Sequence, residues 1–305
     1  MTQKGELTLE NLISKTSEAF PVLANSIRSI PQVLTEKEYE AAKTATEFVR
    51  LKLSAQNLDL DVLLDAFAEV SIDFMRLQAR FYKTGHYARK SAEGLVEELY
   101  ENSEAMDGHY LAGLMMTYAL WPNHSRTLSC LINDFMPNLA LDSSIAEIGV
   151  GHGLMSWKIL QETERTYRGF DISSKSIEYC RSGLKSIGID NEISFVLGDV
   201  TDVKALSEND QVDHVLCCEV LEHVDNPELL VRAIRSLLKE GGTAFVTTVC
   251  NLEAEDHVFL FNNPDEIRAL FISEGLRLVE DWEFIVSGST NDLIVPINYA
   301  AIVKR

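Results

Sequence analysis

The sequence is poor in residue types whose presence would indicate a secreted or membrane-bound protein. Its 305 residues include only five cysteines, seven prolines and three tryptophans. Five is an odd number and the cysteines lack metal-binding spacing, so we expect free thiols in a reducing compartment. No run of about 18 apolar residues predicts a membrane-spanning helix, and residues 1–10 lack the apolar segment of a secretory signal. These absences favour a cytoplasmic protein with no membrane partner.

Basic residues are also scarce. Lysine and arginine number 27 against 47 acidic residues, which gives a net charge of −20. The net charge is −6 for the residues up to Leu141 (13 basic, 19 acidic) and −14 for the residues after it (14 basic, 28 acidic). Because nucleic-acid binding relies on Lys and Arg to neutralise phosphates, we expect no nucleic-acid partner. A neutral or cationic small molecule fits this charge better.

The residues that are present divide the chain near Pro137. Before it, apolar residues such as Leu63, Phe67 and Val70 recur at spacings near 3.6, which predicts five or six helices and no strand. Breaks between helices are predicted at Pro31, at the Lys83–Gly85 turn, at Asp107-Gly108 and at Pro122. We therefore expect residues 1–137 to form an all-α N-terminal domain or lid.

From residue 138 onward, short β-branched runs alternate with amphipathic segments. Strands are predicted at residues 145–149, 167–172, 193–197, 212–217 and 243–249, and helices from about Leu154, Ser174, Pro227 and Pro264. This alternation predicts an α/β fold in which a parallel, Rossmann-like sheet lies between two layers of helices. Residues 138–305 are thus predicted to form a second domain, whose ligand binds beyond the carboxyl ends of the strands.

The first predicted strand runs into a glycine-rich turn. Glu147 is followed by Gly149, Gly151 and Gly153. Glycine at alternate positions lets the backbone turn tightly and approach a ligand closely. Such a turn, taken alone, also fits a simple connection from a strand to a helix.

An acidic residue follows each of the next three strands. Asp171 ends the second strand, where a carboxylate can accept hydrogen bonds from both hydroxyls of a ribose. Asp199 and Val200 follow the third strand, and Glu219 follows the fourth. Each acid alone can be explained as a helix cap or a solvated turn. Acids after successive strands, in order, favour a nucleoside site.

Together these motifs resemble those of the class I S-adenosylmethionine-dependent methyltransferases. The family's first motif has the form E-x-G-x-G-x-G, and the stretch Glu219–Val224 is similar to the fourth motif of ubiquinone-type O-methyltransferases. The resemblance covers residues 145–305 and implies a seven-stranded sheet that closes with a hairpin near residues 276–286 and 296–304, after a turn at Lys239–Gly242. It implies S-adenosylmethionine as cofactor and S-adenosylhomocysteine as product. It also implies contacts from Glu147, the three glycines, Asp171, Ile172, Asp199, Val200 and Glu219.

Two other functions stay open. An NAD(P)-dependent Rossmann oxidoreductase would carry G-x-G-x-x-G, which requires glycine where this chain has Leu154. A protein that binds S-adenosylmethionine without catalysis would carry the same cofactor motifs. The sequence favours a methyltransferase that acts on a small molecule by O-, N- or C-methylation, and by analogy one in secondary-metabolite biosynthesis.

Candidate catalytic residues follow strands four and five. Methyl transfer requires an aligned acceptor and, for a protonated acceptor, a general base. His223 is a candidate base beside Glu222, and His257 is a candidate base or substrate anchor oriented by Asp256 or Glu255. The alternative for His223 is a histidine packed for structure, and the alternative for the segment around His257 is a solvated acidic loop. No fixed ligand spacing is present, so no metal is expected; an oxygen- and nitrogen-rich divalent site formed by His, Asp and Glu is the alternative.

The segment between Asp107 and His124 is rich in aromatic and histidine residues. It directly precedes the α/β half, so we expect it to cover the cofactor cleft and shape the acceptor pocket. His109 and Tyr110 are the candidate substrate contacts, with Glu255 as a third. Core packing or a homodimer interface are the alternatives for this segment.

Overall fold

Helices account for the regular structure in the first half of the computed structural model, which describes residues 7–102, 109–161, 165–189, 193–202, 210–286 and 294–305. The helices are α1 (Leu9–Ala19), α2 (Ala24–Arg28), α3 (Ile30–Val33), α4 (Glu36–Gln56), α5 (Leu60–Thr84), α6 (Leu111–Leu120) and α7 (Pro122–Cys130). π-Helical turns occur at Val96–Tyr100 and Leu131–Phe135, and a 3-10 turn at Met136–Asn138. Five or six helices were expected. The described count is higher because the segment around Pro31 forms two short helices instead of a simple break.

The ends of the long helices follow their local sequence. Thr35 and Glu38 form a reciprocal capping box at the start of α4. Helix α5 ends at Gly85, whose φ of 72° lies in the left-handed region, so the predicted Lys83–Gly85 turn is confirmed. Pro122 occupies the first turn of α7, also as expected. The predicted break at Asp107-Gly108 lies outside the described residues.

Seven strands form a single sheet in the second half. They are β1 (Ser144–Ile148), β2 (Thr166–Asp171), β3 (Ile193–Leu197), β4 (Val212–Cys218), β5 (Leu238–Cys250), β6 (Arg277–Ile285) and β7 (Ile297–Lys304). Their order is 3-2-1-4-5-7-6, with β7 antiparallel to both of its neighbours and the remaining pairs parallel. The Rossmann-like sheet and its closing hairpin are confirmed. The strand order reverses between β1 and β4, the position where ligands bind in such sheets.

Four helices connect the parallel strands: α8 (Leu154–Leu160), α9 (Ser174–Ser186), α10 (Pro227–Leu237) and α11 (Pro264–Ser273). Asn226 and Asn263 cap α10 and α11, as their Asn-Pro pairs predict. Asn263 and Glu266 have the spacing of a capping box, but the Glu266 carboxylate accepts from the Asn262 N–H at 2.9 Å instead of the Asn263 N–H. The predicted turn at Lys239–Gly242 lies inside the bounds of β5. The pairing with β4 passes from Leu238 directly to Thr243, and Gly241 has a φ of 79°, so the turn interrupts the strand instead of preceding it.

The two faces of the sheet are covered by different halves of the chain. Helices α10 and α11 pack on one face, against residues such as Val215 and Val246. The opposite face carries Ile145, Leu216 and Phe245, and packs against α8, α9 and the N-terminal helices. The helical half therefore shares one hydrophobic core with the sheet. No helix among the described ranges has both the length and the hydropathy of a membrane span.

Candidate active site

A cavity of about 230 Å³ lies at the carboxyl ends of the strands, where β1 and β4 part. Eight of the nine residues that the sequence predicts as cofactor contacts line it, and so do all four predicted catalytic residues. Its remaining walls come from the helical half, chiefly α5, α6 and the turn at Val96–Tyr100. The sheet and the helices thus enclose one continuous space.

The glycine-rich turn after β1 uses a backbone conformation that few other residues adopt. Gly149 and Gly151 have φ values of 75° and 47°. A Cβ at Gly149 would lie 2.7 Å from a Val220 methyl, so only glycine fits there. A Cβ at Gly151 would meet no protein atom within 4 Å, because this backbone faces the cavity.

Gly153 is the one predicted cofactor contact that does not line the cavity. It precedes α8 with a φ of 82°. A Cβ at this position would lie 3.0 Å from the Cys180 sulfur in α9. We therefore correct the expectation: Gly153 is required for close packing between α8 and α9, and it does not touch the ligand space.

Asp171 lies at the end of β2, directly across the cavity wall from the glycine-rich turn. Its Oδ1 accepts from the Ser173 N–H at 2.8 Å, and its Oδ2 accepts from the Gly151 N–H at 3.5 Å. Ser173, and not Asp171, caps helix α9. Burial raises the pKa of the Asp171 carboxyl to about 6. A buried carboxylate held at the mouth of a glycine turn is suited to accept from a pair of hydroxyl groups.

The residues after β3 border the same end of the cavity. Asp199 Oδ1 accepts from the Thr201 N–H at 2.8 Å and from its hydroxyl at 2.7 Å. Asp199 therefore stabilises a turn as well as lining the cavity, and Val200 beside it is buried. Ile172, 41% exposed, presents an apolar surface to the same space.

Glu147 is buried beneath the glycine-rich turn. Its Oε2 accepts from the Ser156 hydroxyl at 2.7 Å and from the hydroxyl of Tyr167. Burial raises the pKa of Glu147 to about 7, although these two hydrogen bonds lower it in part. Sequence reasoning missed both partners, because Ser156 and Tyr167 lie in a helix and a strand that carry no functional motif.

The raised pKa of Glu147 predicts a pH-dependent stability. In the unfolded chain this carboxyl ionises near 4.5, and in the folded protein near 7, so folding takes up a proton between these values. Stability is therefore expected to fall as pH rises through this window and to stay lower above it. Glu147→Gln should exceed the wild type by about 2–3 kcal/mol in unfolding free energy at pH 8, and by much less at pH 5.5.

Urea unfolding at the two pH values measures this difference. Glu178→Gln, an exposed acid on α9, serves as the control and should follow the wild type. If Glu147→Gln showed the same pH dependence of stability as the wild type, Glu147 would not be its cause.

Glu219 follows β4 in a strained backbone conformation. Its φ of 55° is unusual for a residue with a side chain, and such strain is concentrated at functional sites. The Glu219 N–H donates to the Thr247 carbonyl at 3.0 Å and to the Thr247 hydroxyl at 3.1 Å. Burial, reinforced by nearby Glu222, holds the pKa of Glu219 well above its usual range.

Four polar side chains form a cluster at the inner end of the cavity; we call Glu222, His223, Asp256 and His257 the polar cluster. Glu222 is fully buried, and its Oε2 accepts from the Thr248 hydroxyl at 2.7 Å. The Glu222 carbonyl accepts from the N–H groups of Val258 and Phe259. Glu222 thereby joins the segment after β4 to the segment after β5.

Asp256 is the centre of a hydrogen-bond network that reaches the helical half. Its Oδ2 accepts from the Tyr110 hydroxyl at 2.6 Å and from the Tyr100 hydroxyl at 3.2 Å. The same oxygen lies 3.5 Å from His223 Nδ1. Despite its burial, Asp256 has a lowered pKa because the neighbouring imidazoles and the tyrosine stabilise its charge. Tyr100 was not predicted, since its turn carries no motif.

His257 is oriented by the backbone and not by an acid. Its Nδ1 lies 2.7 Å from the Leu252 carbonyl. Because a carbonyl only accepts, Nδ1 carries the hydrogen and Nε2 is left as an acceptor. The expectation that Asp256 or Glu255 orients His257 is therefore corrected. Burial lowers the pKa of His257, and nearby His223 lowers it further.

Two predicted substrate contacts do not reach the cavity. His109 has a half-exposed side chain, and its Nδ1 lies 3.7 Å from Glu69. Glu255 is exposed. Tyr110, next to His109, does line the cavity, as do Tyr118 and His124 from the same predicted segment. Neighbouring helical positions point in directions about 100° apart, and here Tyr110 faces the site while His109 faces solvent.

The loop after β5 is fixed to helix α5 by three side chains. The Gln78 side chain donates to the Asn251 carbonyl at 2.9 Å and accepts from the Glu253 N–H at 2.9 Å. The Glu253 carboxylate, fully buried, is paired with Arg80 at 2.6 Å. This contact places Asp256 and His257 against the cavity.

A seven-stranded sheet with this order, a glycine turn and acids at successive strand ends form a site suited to a nucleoside. The family model for a methyltransferase domain matches residues 146–246. This comparison assigns residues 146–246 to a methyltransferase domain.

Curated relatives agree with this assignment. The ubiquinone biosynthesis O-methyltransferase of Azoarcus sp. (strain BH72) is 32% identical over 105 residues, which are 34% of this chain and 43% of that protein. The corresponding protein of Cupriavidus pinatubonensis is 30% identical over 105 residues, 34% of this chain and 41% of its own length. The chain thus spans less than half the length of these relatives.

Solved structures share the fold. The N-methyltransferase NodS from Bradyrhizobium japonicum WM9, in complex with S-adenosyl-L-homocysteine, superposes with a TM-score of 0.51 at 15% identity, covering 71% of this chain and 99% of NodS. The [4+2]-cyclase SpnF superposes with a TM-score of 0.50 at 13% identity, covering 61% of this chain and 82% of SpnF. At these identities the likeness concerns the fold alone.

Proposed function

We propose that the protein binds S-adenosylmethionine at the glycine-rich turn and transfers its methyl group to a small molecule held beneath the N-terminal helices. The observation that carries this proposal is the single cavity that joins Asp171 and Gly151 at one end to the polar cluster at the other. One end suits a nucleoside and the other suits an acceptor, so both substrates can meet inside the protein.

The residues at the strand ends fit the cofactor. Gly151 leaves backbone open to the cavity, and the Asp171 carboxyl lies beside it as an acceptor for ribose hydroxyls. Ile172 and Val200 offer apolar surface to a purine, and Asp199 lies next to them. When bound, the cofactor supplies an electrophilic methyl group on a sulfonium centre.

The helical half supplies a lid and the acceptor pocket. Phe74, Tyr118 and Leu114 give the pocket aromatic and aliphatic walls, which exclude water and orient a largely apolar acceptor. The polar cluster binds the acceptor's hydroxyl or amino group and receives its proton. Positioning of the acceptor in line with the transferred methyl group is the main contribution of these walls.

The alternatives predict other binding behaviour. The fold by itself does not fix the reaction, and a [4+2]-cyclase shares it. An oxidoreductase is disfavoured by Leu154, which begins a helix where a dinucleotide fingerprint requires glycine. A binding protein without catalysis would show the same cofactor affinity and no turnover.

Calorimetric titration with S-adenosylhomocysteine tests the proposal. We expect micromolar affinity, of the order of 8 kcal/mol in binding free energy, and no binding of NAD under the same conditions. Incubation with methyl-labelled S-adenosylmethionine and a panel of small phenols and amines should then release S-adenosylhomocysteine. Binding of NAD without S-adenosylhomocysteine would overturn the cofactor assignment, and binding without turnover across the panel would favour the non-catalytic alternative.

A further inference from the structure

Three side-chain atoms of the polar cluster converge on one point. Glu222, His223 and His257 each offer one ligand atom, and these atoms lie within 4.8 Å of one another. His223 Nε2 is 3.9 Å from Glu222 Oε1, and the two imidazole centroids are 5.0 Å apart. The three residues come from the segments after β4 and β5, which the Glu222 carbonyl holds together.

These converging atoms are all acceptors. His223 Nδ1 lies 3.0 Å from the Asp256 carbonyl, and His257 Nδ1 lies 2.7 Å from the Leu252 carbonyl. Each Nδ1 therefore carries a hydrogen, so in the neutral form of each ring Nε2 holds the lone pair that can bind an ion. Glu222 Oε1 is buried and has no hydrogen-bond partner among the described residues. A cation that lies between such groups offsets the cost of burying them.

The outer contacts of this group are those that commonly orient metal ligands. In metal sites, an imidazole that binds an ion through one nitrogen usually donates its other N–H to a carbonyl or carboxylate, and a ligating carboxylate is itself hydrogen-bonded. Both imidazoles here donate to backbone carbonyls, and Glu222 Oε2 accepts from Thr248 at 2.7 Å. Each of the three side chains is thus fixed in a direction that presents its free atom to the same point.

We infer that Glu222, His223 and His257 bind one divalent transition-metal ion, of which Zn²⁺ is the type case, at the acceptor end of the cavity. Two imidazoles and one carboxylate form a donor set that zinc and its neighbours in the first transition row bind readily. Mg²⁺ and Ca²⁺ prefer oxygen ligands, so this set disfavours them. Ligand distances of about 2.1 Å require the three atoms to approach by roughly 0.5 Å.

All three ligand residues line the cavity, so the remaining coordination positions of the ion face the acceptor. The inference departs from the expectation that no metal is bound, and it does not depend on methyl transfer. It also reassigns His257: an imidazole that ligates an ion through Nε2 is not available as a general base.

Cobalt(II) titration of the full-length, tag-free protein tests the site. We expect one equivalent of Co²⁺ to give the visible absorption of an ion with nitrogen ligands, and Zn²⁺, but not Mg²⁺, to displace it. Glu222→Gln and His257→Gln keep side-chain volume and should weaken Co²⁺ binding by about 100-fold. His109→Gln, which removes an exposed histidine that does not line the cavity, should bind Co²⁺ as the wild type does.

Circular dichroism and S-adenosylhomocysteine titration on each preparation separate the possible causes of failure. A folded protein that binds S-adenosylhomocysteine but no Co²⁺ overturns the metal site and leaves the proposed function intact. Co²⁺ binding without S-adenosylhomocysteine binding contradicts the proposed function and supports the metal site. Co²⁺ binding that persists in both cluster variants, or disappears in His109→Gln, also overturns the assignment.

Discussion

Asp171→Ala is expected to weaken S-adenosylhomocysteine binding by about 100-fold or more, because two hydrogen bonds from ribose hydroxyls to a charged acceptor contribute about 1.5–3 kcal/mol each. The Asp171 carboxyl is buried beside Gly151, and its position is fixed by the Ser173 N–H at 2.8 Å. No other acid lies on this strand end. Removal of the side chain therefore leaves the hydroxyls without a replacement acceptor.

The measurement is a calorimetric titration of three variants. Asp171→Asn retains one oxygen acceptor and the shape of the turn, so its loss should be smaller than that of Asp171→Ala. Asp202→Ala, an exposed acid nearby, is the control and should bind as the wild type does. Wild-type affinity should also decrease as pH falls below about 6, since the raised pKa of Asp171 means that its carboxylate is lost there. Equal affinity in Asp171→Ala and the control would refute the ribose contact.

Arg80→Ala is expected to lower the free energy of unfolding by about 2–4 kcal/mol, since it leaves a buried carboxylate without its charged partner and with the Ala88 N–H as a remaining donor. Arg80 pairs with Glu253 at 2.6 Å, and the Glu253 side chain is fully buried. Solvent screens part of the interaction because the Arg80 guanidinium is partly exposed. The decrease in unfolding free energy should therefore lie near the lower end of this range. The variant should also loosen the loop that carries Asp256 and His257.

A matched control lies one turn earlier on the same helix. Arg76 pairs with Asp73 at 3.1 Å, with a side chain that is 74% exposed, so Arg76→Ala should cost well under about 1 kcal/mol. Addition of Glu253→Gln to Arg80→Ala should restore part of the lost stability, because the buried group is then neutral. Urea unfolding measures the stability of the wild type, the two single variants and the double variant. Similar losses for Arg80→Ala and Arg76→Ala would show that the buried pair does not stabilise the loop.

The order of the elements could be predicted because its signals are local. The Asn-Pro pairs before α10 and α11, the β-branched runs and the glycines at 149 and 151 act within a few residues of themselves. Parallel topology then brings the carboxyl ends of the strands to one edge. That is why Asp171, Asp199 and Glu219 could be assigned to one cavity from the amino-acid sequence alone.

The acceptor end depends on contacts that no local pattern encodes. Tyr100 and Asp256 are separated by 156 residues, and Gln78 contacts a loop 173 residues later. Exposed Glu255 and buried Asp256 are neighbours in sequence, and only the turn that joins them decides which one faces inward. The orientation of His257 by a backbone carbonyl is equally invisible to side-chain patterns.

The shared core has a consequence for biosynthesis. A ribosome makes the N-terminal helices before the sheet, but their apolar partners include Phe245, Ala300 and Ile302, which follow much later in the chain. Until β7 is made, part of the apolar face of these helices stays uncovered, and such surfaces promote aggregation. Nascent chains that stop before Ile297 should therefore require a chaperone, whereas chains that include β7 bury this face.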